Sequence, residues 1–165
     1  MATEVTRKLC LIGDFGVGKT SLVNRYVREV FDDRYLTTVG VKIDTKLVPV
    51  GDVTVKLVIW DIAGTEEANA VYRSYLRGMA GFLLVADGTR GYTLDNALKL
   101  KQSITEQMGE LPWVGLLNKA DLEGEWEVPA DHPALLENPD SWLKTSACTS
   151  DNVQEAFEQL AASLA

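Results

Sequence analysis

The stretch GDFGVGKT, Gly13 to Thr20, lies between an apolar run, Arg7–Ile12, and a segment with helical spacing, Gly18–Arg28. It fits G-x-x-x-x-G-K-[ST]. Three glycines let the backbone curl so that successive N–H groups face inward, and the following helix adds the positive end of its dipole. Lys19 supplies a cation for terminal phosphates, and the Thr20 hydroxyl is placed for Mg2+. With glycine near 7% of residues, chance yields such a match in roughly one chain in a hundred or two of this length. A glycine-rich turn with a surface lysine is the plain alternative. The strand before the stretch and the helix after it favour a nucleotide phosphate.

Working outward, short apolar runs alternate with longer amphipathic ones, the pattern of strands interleaved with helices around a mostly parallel sheet. Val41–Val50 and Val53–Trp60 flank Gly51-Asp52 and predict an antiparallel hairpin. Glu66–Arg77 has helical spacing but few core residues, so it is expected to be mobile. Phe82–Asp87 reads as a buried strand. Tyr92–Met108 reads as a helix with Thr93 as N-cap and Leu94, Ala97, Leu98, Ile104 and Met108 turned inward. Trp113–Leu117 and Trp142–Lys144 are further strands. Pro129, Pro133 and Pro139 leave room between them for a short helix only. Val153, Ala156, Phe157, Leu160 and Leu164 mark a last helix, which Asn152 and Glu155 open as a capping box. The expected fold is three-layer α/β. Its six-stranded, mostly parallel sheet carries one antiparallel hairpin strand, and residues 1–165 form a single domain.

Composition narrows the class. The 165 residues carry 16 lysines and arginines against 24 acidic groups, a net charge of −8, with no basic cluster. Nucleic acid and an anionic membrane surface are therefore not expected partners. The longest apolar stretch, Met79–Ala86, is too short to span a bilayer, and MATEVTRKLC lacks a signal peptide's apolar core. Cys10 and Cys148 read as two reduced thiols. A cytoplasmic protein is expected.

Two later motifs choose the nucleotide. In KLVIWDIAGTEE, Asp61 ends a strand, where a carboxylate can hold a Mg2+ water, and Gly64 leaves room for a backbone N–H to reach a γ-phosphate. In LLNKAD, Asn118, Lys119 and Asp121 end another strand. A carboxylate there accepts from the imino N–H and the exocyclic amine of guanine; adenine would leave it unpaired, a mismatch worth roughly 10⁴–10⁵ in selectivity. A nucleoside monophosphate kinase or other P-loop ATPase is disfavoured on this ground, and no acceptor lid is apparent.

From Arg7 to Leu164 the phosphate loop, DIAG, NKAD and TSA motifs resemble, in order and spacing, the Ras superfamily of small GTPases. YLTTVGVKI, KLVIWDIAG and YLRGMAGFLLV are most similar to the Rab branch. The resemblance implies the P-loop GTPase fold, with GTP or GDP and Mg2+ as ligands. Effector, exchange and activating proteins would dock on two switch segments, Tyr35–Ile43 and Ala63–Arg77. It implies that Phe15, Gly16, Val17, Gly18, Lys19, Thr20 and Ser21 line the phosphates. Thr38, rather than its neighbour Thr37, would bind Mg2+ and the γ-phosphate, because Tyr35 and Phe31 then fall over the phosphates and against the guanine edge. Thr20, Thr38 and Asp61 are the implied metal residues, and Lys19, Thr38 and Thr65 the catalytic ones. Gly64 would sense the γ-phosphate, Ala147 would give an N–H to the guanine carbonyl, Ser146 would brace that loop and Cys148 would lie against the base.

Three departures from the family bear on hydrolysis and base packing. Thr65 stands where active members carry a glutamine that orients the attacking water. Phe15 stands where the family has a small residue; its ring either crowds the γ-phosphate and an incoming arginine, or folds outward. Cys148 replaces a lysine that packs on the base. No arginine in cis is obvious, Arg34 and Arg73 being near only in sequence. No cysteine follows Cys148, so no membrane anchor is expected within the chain: either the protein is unlipidated, as in a prokaryotic relative, or a lipid-bearing tail lies outside these residues. The expected function is a switch that hydrolyses GTP slowly; the alternative is a constitutive GTP-binding scaffold with negligible turnover.

Overall fold

The computed structural model describes residues 3–29, 40–63 and 70–165, with side chains in the last stretch from residue 73. In chain order these form β1 (Thr3–Ile12), α1 (Lys19–Arg28), β2 (Val41–Val50), β3 (Val53–Ile62), α2 (Ala70–Leu76) and β4 (Gly81–Asp87). Then follow α3 (Gly91–Met108), β5 (Trp113–Asn118), α4 (Pro133–Glu137), β6 (Trp142–Lys144) and α5 (Val153–Leu164). The strands make a six-stranded sheet in the order β2-β3-β1-β4-β5-β6. The β2–β3 pair is antiparallel and the other neighbours are parallel. This is the α/β class the strand and helix pattern predicts, with the fold of P-loop GTPases.

Alternation along the central strands builds two cores. Leu9, Leu11, Leu83 and Val85 point to the face covered by α1 and α5, where Leu22, Tyr26, Phe157 and Leu160 meet them. Cys10, Ile12, Phe82, Leu84 and Ala86 point to the other face, against Leu94, Ala97, Leu100 and Ile104 of α3. With period-2 side chains buried on both sides, β4 reads as an unbroken apolar run, as a central parallel strand must. The Tyr26 and Phe157 rings stack at 4.1 Å and fasten α1 to α5. The hairpin turns on Gly51, whose φ of 59° suits a glycine at the first turn position.

Some local expectations are corrected. β1 begins at Thr3, well before Arg7, because Thr3 to Leu11 pair with Val53 to Asp61. Thr93 does not cap α3: the helix starts at Gly91 after an extended Arg90. The Thr93 hydroxyl accepts from the Asp87 N–H at 2.8 Å and donates to the Arg90 carbonyl at 2.7 Å, which ties the helix start to the end of β4. Leu98 and Met108 are only partly buried beside the α3-side core, and Leu100 takes the deeper position. The capping box at α5 does not form either. Asn152 is left-handed, with φ 56°, and its Nδ2 donates to the Lys144 carbonyl at 2.9 Å. That geometry turns its side chain away from the helix amides and binds the helix to β6. The proline-rich stretch holds one 3-10 turn, Glu123–Glu125, and the five-residue α4. The expected mobile helix is described only as Ala70–Leu76.

Candidate nucleotide-binding site

Five parallel strands, β1, β3, β4, β5 and β6, end on the same side of the sheet, the usual site position in such a fold. The loop after β1 holds GDFGVGKT. Gly16 and Gly18 have φ of 79° and 103°, left-handed values that glycine adopts without strain and that let the loop curl. A side chain at Gly18 has no room: a Cβ would lie 2.3 Å from Asn118 Nδ2. The Asn118 amide donates to the Val17 carbonyl at 3.0 Å, and Lys119 Nζ donates to the Gly16 carbonyl at 3.2 Å. In a trans peptide the carbonyl and the next N–H point oppositely. Holding the Gly16 and Val17 carbonyls outward therefore turns the Val17 and Gly18 N–H groups into the concavity.

Lys19 is nearly fully buried and its ammonium donates to the carbonyls of Gly13 and Asp14, each at 3.0 Å. Burial pulls its pKa down to about 8, against the attraction of Asp61 and Asp14. The Thr20 hydroxyl donates to Asp61 Oδ2 at 2.6 Å, and Asp61 is 1% exposed. A hydroxyl and a carboxylate oxygen in contact form a hard-oxygen pair, the donor chemistry Mg2+ takes when it retains most of its waters. Ser21 is half-buried in the first turn of α1. Phe15 is 53% exposed, so its ring is not part of the core.

The base motif sits one loop away. Asn118 is buried, and its Oδ1 accepts from the Thr145 hydroxyl at 3.1 Å. Ser146, fully buried, donates from Oγ to Asp121 Oδ1 at 2.7 Å and accepts the Thr149 N–H at 3.1 Å. Asp121 is thus turned toward the loop carrying Ala147 and Cys148. Arg25 of α1 holds that loop from below, with Nε donating to the Ala147 carbonyl at 2.7 Å and a guanidinium N–H to the Cys148 carbonyl at 2.9 Å. Cys148 is exposed and Ala147 buried. Phosphate loop and base loop are therefore joined through Asn118, Lys119 and Arg25.

Phe31, Arg34, Tyr35, Thr37, Thr38, Gly64 and Thr65 lie outside the described residues. Arg73 is exposed on α2. Among the described residues, the sequence reading missed Arg25, Thr145, Asp87 and Arg90. Arg25 carries no local signal, since its acceptors lie 122 and 123 residues away. Asp87 did carry one: a carboxylate ending an apolar strand, as Asp61 does. Among the described residues no helix is long and apolar enough to cross a membrane.

The Ras family model matches residues 8–165. The chain is 39% identical over 156 residues to the Ras-related protein Rab-25 of Homo sapiens, covering 92% of this chain and 72% of that one. It is 36% identical over 157 residues to the Ras-related protein Rab-13 of Canis lupus familiaris, covering 93% and 77%. To the Ras-related protein Rab-11C of Dictyostelium discoideum it is 36% identical over 162 residues, covering 95% and 71%.

Proposed function

Because the chain belongs to the Ras family, as a Rab-like small GTPase, we propose that it is a Mg2+-dependent guanine-nucleotide switch whose own hydrolysis is slow. The observation that carries this reading is the junction of base and phosphate loops, with Asn118 and Lys119 on the carbonyls of Val17 and Gly16 and Asp121 anchored on Ser146. Asp121 accepts from the guanine edge, and the Ala147 N–H meets the guanine carbonyl beside Cys148. The inward N–H groups of the phosphate loop, with Ser21 behind them, hold the α- and β-phosphates. Lys19 exchanges its carbonyl partners for phosphate oxygens.

Thr20 and Asp61 would hold Mg2+, with Thr38 joining when the γ-phosphate is present. Bound there, the metal would neutralise phosphate charge. Thr38 and Gly64 sense the γ-phosphate in this proposal, and Phe31 and Tyr35 cover the nucleotide. Thr65 is too short to hold the attacking water as a glutamine does, so turnover is slow.

Partners that read the bound state dock on the two switch segments. An apolar face between those segments supports this: Ile43 is 48% exposed and pairs across the hairpin with Trp60, whose ring lies 6.3 Å from that of Tyr75.

Nucleotide extracted from the purified protein tests the base assignment. GDP or GTP is expected; recovery of adenine nucleotides would overturn it.

A further inference from the structure

The hydrogen bonds to the phosphate loop do not end at Lys119. At the end of β4, Asp87 is fully buried, and Oδ2 of its carboxylate holds two cations: Lys119 Nζ at 2.8 Å and Arg90 Nε at 2.9 Å. Oδ1 is taken by the N–H and hydroxyl of Thr89, at 2.8 and 2.6 Å. Each cation has a further contact on the phosphate loop. Lys119 donates to the Gly16 carbonyl, and Arg90 donates to the Phe15 carbonyl at 3.4 Å. The Tyr92 hydroxyl accepts another guanidinium N–H at 2.9 Å and fixes the plane of the fork.

We propose that Asp87 and Arg90 are positioning residues that preset the phosphate cradle, one buried carboxylate aiming two cations at successive loop carbonyls. The Phe15 carbonyl held outward by Arg90 turns the Gly16 N–H inward. With Lys119 on Gly16 and Asn118 on Val17, the carbonyls before three successive amides, those of Gly16, Val17 and Gly18, are each held by a side chain, which turns those amides the opposite way. A carboxylate without charge partners would not remain ionised at this depth; two cations and two Thr89 donors compensate its burial. These contacts hold its pKa below the usual carboxylate range despite desolvation, so the anchor is charged throughout neutral pH. Arg90 belongs to the loop after β4 and Lys119 to the base motif. Asp87 therefore also couples the base loop to the phosphate loop.

This rests on the guanine-nucleotide reading above. The test uses the full chain loaded with GDP, comparing wild type with Arg90→Ala, Arg90→Lys and Asp87→Asn. Three quantities are followed: release of fluorescently labelled GDP, the 31P resonance of the bound β-phosphate, and the melting temperature of the nucleotide-free protein. Arg90→Ala should release GDP roughly threefold to tenfold faster, the range one hydrogen bond supports. It should also displace the β-phosphate resonance and leave the nucleotide-free melting temperature unchanged. Arg90→Lys keeps a cation on Asp87 without the fork and should fall between wild type and alanine. Asp87→Asn should exceed all of these, since both cations lose their anchor.

Release within twofold of wild type and an unmoved resonance in Arg90→Ala would overturn the brace. So would faster release matched by a lower nucleotide-free melting temperature, which is the mark of a merely structural contact. If Asp87→Asn does not fold, the two Arg90 variants decide. A wild type that prefers ADP to GDP would sink the guanine reading instead.

Discussion

The side-chain amide of Asn118 occupies the space a Cβ on Gly18 would need: that atom would lie 2.3 Å from Nδ2, while the same nitrogen donates to the Val17 carbonyl at 3.0 Å. Glycine at this position is required twice over, since its φ of 103° is also one that side-chain-bearing residues rarely adopt. Gly18→Ala should therefore displace Asn118 and lose the Val17 contact. We expect nucleotide affinity to fall by at least about a hundredfold and stability by about 1–3 kcal/mol, the range for such backbone strain. Calorimetric titration with GDP and a urea melt of the same variant measure the two effects. A variant that binds GDP as wild type does would contradict the geometry.

Asp121 presents its carboxylate with Oδ1 already bonded to the Ser146 hydroxyl. Asp121→Asn should exchange guanine for xanthine, whose edge carries an oxygen where guanine has the amine. The affinity order of GTP and xanthosine triphosphate should invert. Ser146→Ala should keep the preference for guanine and weaken binding roughly tenfold, as expected when a charge-assisted hydrogen bond is lost. Competition binding with both nucleotides checks each variant, and GTP still preferred by Asp121→Asn would remove Asp121 from the base site.

Lys19 ties affinity to pH. With its pKa near 8, the ammonium of the empty protein is charged below that value and neutral above it, while phosphates require the charge. GDP affinity should be flat up to pH 8 and then fall by up to about tenfold per pH unit. Between 8 and the lysine's ordinary 10.5 the unfolded chain binds more protons, so this group makes the empty protein more stable as pH rises through that window. Titrations from pH 7 to about 9.5 test the first effect, and Lys19→Met should abolish the fall along with most of the affinity.

Hydrolysis carries the proposed slow turnover. Thr65→Gln should raise the single-turnover rate modestly, because a longer amide can hold water in line but supplies no charge. Thr65→Ala separates this from a site rebuilt around the threonine. If alanine slows the reaction and glutamine does not speed it, the threonine itself does the positioning. A wild type as fast as glutamine-bearing relatives would end the slow-switch reading.

The two thiols should behave differently. Burial pushes the Cys10 thiol up to about 12 and leaves it no surface, whereas Cys148 is exposed beside Ala147. A thiol reagent should modify one group quickly and the second only after unfolding, and GDP should slow the first reaction. Protection of neither thiol by GDP would place Cys148 away from the base.

The sheet and the phosphate loop were legible because their signals are local. Glycines at positive φ, a lysine and a hydroxyl follow one another in eight residues, and two-faced strands appear as continuous apolar runs. The misread features are tertiary. Thr93 has the chemistry of a cap but is buried under the end of β4, where its hydroxyl serves strand and helix together. Asn152 spends its amide on β6 rather than on its own helix. Arg25 reaches the Ala147 and Cys148 carbonyls and Arg90 the Phe15 carbonyl, and no spacing rule spans such distances; Asp87 carried the local signal of a carboxylate ending an apolar strand, but its pairing with Lys119 is tertiary.

Arg25 also sets an order in time. Its acceptors, the carbonyls of Ala147 and Cys148, are made 122 and 123 residues after it, and Tyr26 waits still longer for Phe157. At ribosomal speeds of about 5–20 residues per second, the phosphate loop exists for several seconds before its helix has either partner. A nascent chain stopped short of residue 145 carries GDFGVGKT and NKAD complete but lacks Ser146, Ala147 and Cys148. On the guanine reading, capture of the nucleotide waits for the Ala147 loop to emerge and does not guide the folding that precedes it.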